Sequence, residues 1–502
     1  MRRRCFAALL LILSLLFSAC AVNETDVTAT AEETSVKETE TDVITVTQAV
    51  TGTEADVTAV TETDVVSEAQ TGTDTVAVTE AQTGPETETD AAAVAVTDVQ
   101  TDEETEAETD AEPVISYENA YTSKAFLDFI RERYGADIYE KLSGKIGSGG
   151  YDNEYLYALT GKSVYVLFDE YKGAAYKKSR APEAHDKSVI SLGFCGDIML
   201  SDGWQVMQRY EKYGGDIKYI ADADTVSTLE SFDVMAATNE YPVSSRGEKI
   251  NKTYTFRAKE ENLKILNELG VDFVSTANNH IYDYGPDAFF DTFKALDKYG
   301  IDHAGAGRDL SEASEPFYYV INGRKIAIIC GSRAEKNLKT PLAADSSAGV
   351  FGMYDPEDMI SAVKKADESC DFVIIMAHWG AEWSSQIEDI IRLQGRLYVD
   401  AGADLIIGSH AHALQGIEIY KGRTIAYNLG NFLFNGSDMK SGIIQLTIDP
   451  ADMTASTRFI ACIQDHDHVR VSKGGEKAAV LDYMRGLSPD IRIDEDGNIT
   501  KK

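Results

Sequence analysis

The folded part of this chain is predicted to be an α/β domain whose sheet is covered on both faces, and three observations predict it. From Ser188 onward, short apolar runs alternate with amphipathic stretches at helical spacing. Polar groups able to bind metal fall directly after those runs, where the strands of such a sheet converge on one edge. Between the apolar N-terminus and Val114 the chain lacks the apolar content of a core, which leaves about 390 residues to build one.

The chain opens on Arg2, Arg3 and Arg4, followed by an apolar run from Phe6 to Phe17 and then Ser18, Ala19 and Cys20. A basic start, a short apolar stretch and small residues before a thiol read as a lipoprotein signal peptide over 1–20, with Cys20 as the lipidated residue. The expected location is therefore the outer face of the cell membrane or the cell wall, held by a lipid anchor.

Residues 21–113 hold 25 acidic side chains and one basic one, Lys37, so they carry roughly two-thirds of the formal net charge of −36. They contain no aromatic residue, and their Thr, Glu, Asp, Ala and Val alphabet cannot offset the entropy of ordering. The tract reads as a disordered acidic tether, about 55 Å long as a coil and about 300 Å when stretched.

A small N-terminal module is expected over 114–185. Ala125, Phe126, Phe129, Ile130 and Tyr134 recur at helical spacing, a Gly-rich break follows at 147–150, and Ser163 to Phe168 form a short apolar segment. Nothing in it carries chemistry.

The main domain is placed at 186–470, with 471–502 as a C-terminal tail. Strands are expected at 189–195, 234–238, 273–277, 325–330, 372–377 and 405–407, and helices at 260–269, 286–299, 356–369 and 387–401. Hairpin-like segments at 417–428 and 442–463 suggest antiparallel strands added late. Cys195, Cys330, Cys370 and Cys462 lie in or beside strand-like runs without regular spacing, so they read as buried thiols.

Chemistry concentrates at the ends of those runs. Asp197 follows the first strand, Glu240 the second, and Asn278, Asn279 and His280 the third; His378, then His410 and His412, end two later ones. Four of the eight histidines take these positions. Carboxylate, amide and imidazole donors without thiolates suit one or two divalent ions such as Mn, Zn or Fe. Outside the tether the net charge is still negative, so no broad basic groove for a polyanion is indicated, and no nucleic-acid partner is expected. Arg257 is a candidate for binding a carboxylate or phosphate. Asn431, beside Gly430 in YNLGNFLF, is read equally as site wall and as turn chemistry.

The runs GDIML, NE with YPVSS, ANNHIYDYG, GAG, HWGAEW and GADLIIGSHAHALQGIEIYKGRTIAYNLGNFLF span Ser188 to Phe434. Together they resemble the CapA family of poly-γ-glutamate capsule synthesis proteins, itself similar to calcineurin-like metallophosphoesterases. The resemblance implies a four-layer αββα sandwich. It implies metal ligands at Asp197, Glu240, Asn279, His378, His410 and His412, with Glu240 bridging two ions. It also implies His280 as an acid or substrate contact and Asp283 as the group that orients it. The expected function is a metal-dependent hydrolase or transferase acting on an anionic polymer such as poly-γ-glutamate. The alternative is a non-catalytic accessory protein that holds polymer or membrane capsule-synthesis proteins. One departure stands out: the phosphoesterases usually have histidine two residues after the first aspartate, where this chain has Met199. Either one metal position is weak, or another group such as Glu382, otherwise a substrate contact, supplies the donor.

Overall fold

The computed structural model describes residues 115–174, 178–335 and 339–502. The expected signal peptide, Cys20 and the acidic tract to Pro113 lie outside the described residues. The module after them is helical, with helices at Lys124–Tyr134, Ala136–Gly147, Asn153–Thr160 and Val164–Lys172. Three of the four have side-chain N-caps, from Ser123, Asp152 and Ser163, which satisfy backbone N–H groups that the first turn leaves unpaired. The module has its own core around Phe126, Ile130, Leu142, Leu156 and Leu167.

The rest is built on two large sheets. One has seven strands, in the order Ser179–Arg180, Phe317–Ile321, Arg324–Arg333, Phe372–Trp379, Leu405–His410, Arg423–Ala426, Ile417–Tyr420. The other has ten, with Ile190–Ile198, Val234–Asn239, Phe273–Ser275 and Asp302–Ala304 pairing in parallel along one side. The long antiparallel strands Met439–Ile448 and Ala455–Asp465 complete the other side.

Alternation along each strand accounts for the layering. Ile326, Ile328 and Cys330 belong to the core between the sheets, which also takes Leu192, Phe194 and Phe273 from the other sheet. Ala327 and Ile329 point the opposite way, into a core with Met359, Val363, Ile391 and Tyr398 from two helices. On the far side Cys195, Met235 and Val274 meet helical residues such as Met207, Leu263 and Leu296. A period of two with both faces apolar requires helices outside both sheets, so the fold is a four-layer αββα sandwich. All four cysteines among the described residues are buried free thiols.

One boundary differs from expectation. Residues 471–502 are not a tail: they form a helix, Gly474–Leu487, and a hairpin, Ile491–Ile493 with Asn498–Lys501, that extends the ten-stranded sheet. Val480, Leu481, Met484, Ile491, Ile493 and Ile499 all enter the core between the sheets. Polar residues interrupting a short apolar pattern hid this segment from sequence reading.

Candidate metal centre

Strand register brings the donors together before any side chain is considered. His378 lies opposite Ser409, and Trp379 opposite His410, in one parallel pair. In the other sheet Asp197 lies opposite Thr238 and Ile198 opposite Asn239, which leaves Glu240 one step beyond the strand end. The short strand Asn431–Leu433 then pairs Asn431 with Asp197. That pairing needs a close approach: a Cβ on Gly196 would lie 1.8 Å from the Gly430 oxygen, and the Asp197 N–H donates to the same carbonyl at 3.0 Å.

The resulting cluster is compact and buried. Asp197 and Glu240 are fully buried, and His378, His410 and His412 nearly so. His378 Nε2 lies 3.3 Å from Glu240 Oε1, and His378 Nδ1 lies 3.8 Å from Asp197 Oδ1. His412 Nδ1 is 3.6 Å from Asp197 Oδ2 and 4.0 Å from Glu240 Oε2. The rings of His378 and His410 are 4.7 Å apart. Asn279 joins through its Oδ1, which accepts from His378 Nε2 at 2.9 Å. The donors fall into two sets, Glu240 with His378 and His410, and Asp197 with Glu240 and His412, each able to hold one ion, with Glu240 common to both.

Electrostatics ask for a cation. Burial pushes the Asp197 carboxyl up to about 8 and drives Glu240 well above the usual carboxylate range, with the nearby Asp197 charge adding to it. Burial also holds His378 and His410 far below the ordinary imidazole value and His412 down to about 4, so the three rings are neutral and ready to ligate. Among the described residues no lysine or arginine forms an ion pair with either carboxylate, and Lys252 acts on Glu240 only from a distance. Asp197 Oδ1, both Glu240 oxygens and His410 Nδ1 have no hydrogen-bond partner. Leaving such groups unpaired in a protein interior costs about 1–3 kcal/mol each, and a divalent ion would satisfy them together. The residues present fit the group.

Backbone conformation supports the same reading. His410 and His412 have φ of +89° and +54°, left-handed values that side chains other than glycine rarely adopt. Ser409, just before His410 and in register with His378, has its Oγ 2.9 Å from His378 Nδ1 and accepts from Thr238 Oγ1 at 3.0 Å, which orients the ring from behind. Neither Ser409 nor Thr238 was anticipated, although Ser409 sits inside the SHAH run.

Beside the cluster, Asp283 Oδ2 accepts from His280 Nδ1 at 2.7 Å and from the Phe256 N–H at 2.8 Å. Lys252, which sequence reading missed, lies 3.2 Å from Asp283 Oδ1 and 2.8 Å from Glu335 Oε1, and also donates to the Asn279 carbonyl. His280 and His412 both open onto a cavity of about 440 Å³. A larger cleft of about 680 Å³ lies elsewhere, but its Arg246 is already paired with Asp287 and Asp291, and its Arg308 with Glu312.

Three expected substrate contacts fall differently. Arg257 does not line the site cavity; its guanidinium lies 4.1 Å from the Tyr284 ring and donates to the Arg246 and Gly247 carbonyls. A bulky ring and free carbonyls captured it locally. Asn431 is fully buried, and its Oδ1 lies 2.8 Å from His412 Nδ1, among the donors. Glu382 is exposed at the cavity rim and belongs to neither donor set. Met199 is part of an apolar core, as its thioether chemistry favours.

Comparison with known proteins identifies the family. The bacterial capsule synthesis protein family PGA_cap matches residues 191–436, a span that contains every donor from Asp197 to Asn431. The chain is 32% identical over 284 residues to the PGA biosynthesis protein CapA of Bacillus subtilis, covering 54% of this chain and 70% of that one. It is 30% identical over 264 residues to the capsule biosynthesis protein CapA of Bacillus anthracis, covering 51% and 62%. A probable polyglutamine synthesis accessory protein of Mycobacterium tuberculosis is 28% identical over 287 residues, covering 49% and 75%. On its sequence, and with a buried donor cluster inside the matched span, this chain belongs to the bacterial capsule synthesis protein family PGA_cap.

Proposed function

We propose that this chain is a metal-dependent hydrolase or transferase of poly-γ-glutamate capsule biosynthesis, acting on the polymer at the cell surface and held there by a lipid on Cys20. The observation that carries the catalytic part is the set of buried acceptors without partners facing three neutral imidazoles. A divalent cation held by Asp197, Glu240, Asn279, His378, His410 and His412 supplies Lewis acidity toward an amide or ester oxygen. His280 does the proton work. Asp283 accepts from Nδ1, which leaves Nε2 to hold or deliver a proton at the leaving atom. Lys252 holds Asp283 in place. The anchor rests on the basic start, the apolar run and the small residues before Cys20.

The test is metal content of the purified full chain together with release of shorter polymer from poly-γ-glutamate and turnover of a generic phosphodiester. Stoichiometric metal with no turnover on either would replace the enzyme by an accessory protein that holds polymer, the reading that Met199 in the core favours. Mass spectrometry of membrane-extracted protein checks the anchor: a mature N-terminus other than lipidated Cys20 removes it.

A further inference from the structure

The cavity over His280 and His412 has an unusual wall. Trp204, Tyr254, Phe256, Trp383 and Phe434 supply aromatic surface, and Glu382 supplies one carboxylate. No lysine or arginine is among the described residues that line it. Rings run continuously from one histidine to the other: Phe256 is 4.7 Å from His280, Phe434 is 4.6 Å from His412, and Trp383 is 5.1 Å from His412 on the other side.

Two of these rings have no packing reason to be where they are. Tyr254 is 63% and Trp383 59% exposed, although burying such rings against the body of the protein would be favourable. Trp383 also holds a left-handed backbone, φ +61°, an outlier for so bulky a residue. Its loop is nonetheless braced: the Trp383 N–H donates to the Ala411 oxygen at 2.7 Å, and Gln415 Nε2 donates to the Ser384 and Gln386 oxygens at 3.0 and 3.2 Å. A strained, exposed and anchored indole beside a site histidine is a platform for a ligand.

We propose that this mouth recognises an ammonium group, the free amino end of a chain whose first amide then reaches the metal centre. Aromatic faces attract a cation through their quadrupoles, and Glu382 adds a full negative charge at the rim. A polyanion laid along this wall would meet a carboxylate and no compensating base. Its amino end, by contrast, pairs with the wall while its carbonyl points inward. The inference rests on the polymer-processing reading and adds direction to it: the site works from the amino terminus.

The experiment is calorimetric titration of the full chain, metal content measured on each sample, with the dipeptide γ-glutamyl-glutamate and with its N-acetylated form. The free amine is expected to bind about tenfold tighter than the acetylated form. Trp383→Ala and Glu382→Gln, both at exposed positions, are each expected to reduce that preference to less than about threefold with metal content unchanged. Equal binding of the two dipeptides, a preference that survives both substitutions, or no binding of either up to about 10 mM would each overturn the ammonium site. Loss of metal stoichiometry in the unsubstituted protein would instead count against the metal-dependent reading, because the amine preference is scored as a ratio.

Discussion

Among the described residues, one cluster of buried charge lies at the start of the strand Arg324–Arg333 and another at the strand-end metal centre, and the fold treats them in opposite ways. Arg324 and Lys325 are each 1% exposed at the start of their strand. Arg324 pairs with Asp371 at 3.0 Å and with Glu154 of the helical module, and its Nε donates to the Pro450 oxygen at 2.7 Å. Lys325 pairs with Asp169 of that module at 2.7 Å. About seven residues further along, roughly 23 Å away, the paired strand brings His378 opposite Ser332, and there Asp197 and Glu240 from the other sheet face imidazole rings and, for Asp197 Oδ2, the His410 N–H at 3.1 Å. The first cluster is balanced by the protein and welds the module to the sheet. The second has no balancing cation paired with it among the described residues. Burial of charge is therefore not what marks a site here; imbalance is.

The largest expected effect tests the balanced end. Arg324→Met leaves Asp371 buried without its partner and is expected to cost about 3–5 kcal/mol in urea unfolding. Metal content of the folded fraction should not change, and a parallel loss of metal would show that the two ends are coupled. At the unbalanced end the sign reverses. Glu240→Gln should abolish metal uptake, yet in the presence of chelator it should stabilise the protein by about 1–3 kcal/mol, since a buried carboxylate without partners is removed. A lower thermal midpoint than the unsubstituted protein under chelator would mean that the carboxylate has a partner in solution.

A smaller effect separates donor from wall at Asn431. If its amide oxygen belongs to the donor set, Asn431→Ala weakens metal affinity about 10- to 100-fold in chelator competition. Unchanged affinity would return it to turn chemistry. The smallest effect concerns a carboxylate of intermediate balance. Asp302 accepts from Tyr319 at 2.7 Å and lies 3.1 Å from Arg180, but burial still pushes it up to about 6. A folded value above the unfolded one means that its contribution is present below about pH 4 and is lost as pH rises through 6. Asp302→Asn should flatten the stability profile between pH 4 and 7 by about 1 kcal/mol, discounted for the exposed Arg180. A profile identical to the unsubstituted protein would place the titration elsewhere.

The strand ends were legible because each polar group directly follows an apolar run, so periodicity located Asp197, Glu240, the run 278–280, His378, His410 and His412 without knowledge of the pairing, while the choice of Asn279 within its run came from the family resemblance. What escaped depended on pairing. Asn431 reaches Asp197 only through a short parallel strand across a long sequence separation. Lys252 lies in a polar loop that resembles any other until Asp283 and Glu335 fold around it. Arg257, five residues later in the same loop, drew attention because a guanidinium is the commoner anion ligand, yet backbone carbonyls claimed it.

The terminal helix and hairpin have a consequence for how the chain folds. The core between the sheets takes residues from Ile190 to Ile499, and Ile499 pairs with Thr457 at its edge. Such long-range closure is slow, and it cannot finish until Ile499 has emerged. A chain exported in the unfolded state, as the proposed signal requires, would thus remain open throughout its passage. Its helical module, with a core of its own, would fold first outside the membrane and act as the fixed end against which the sheets assemble.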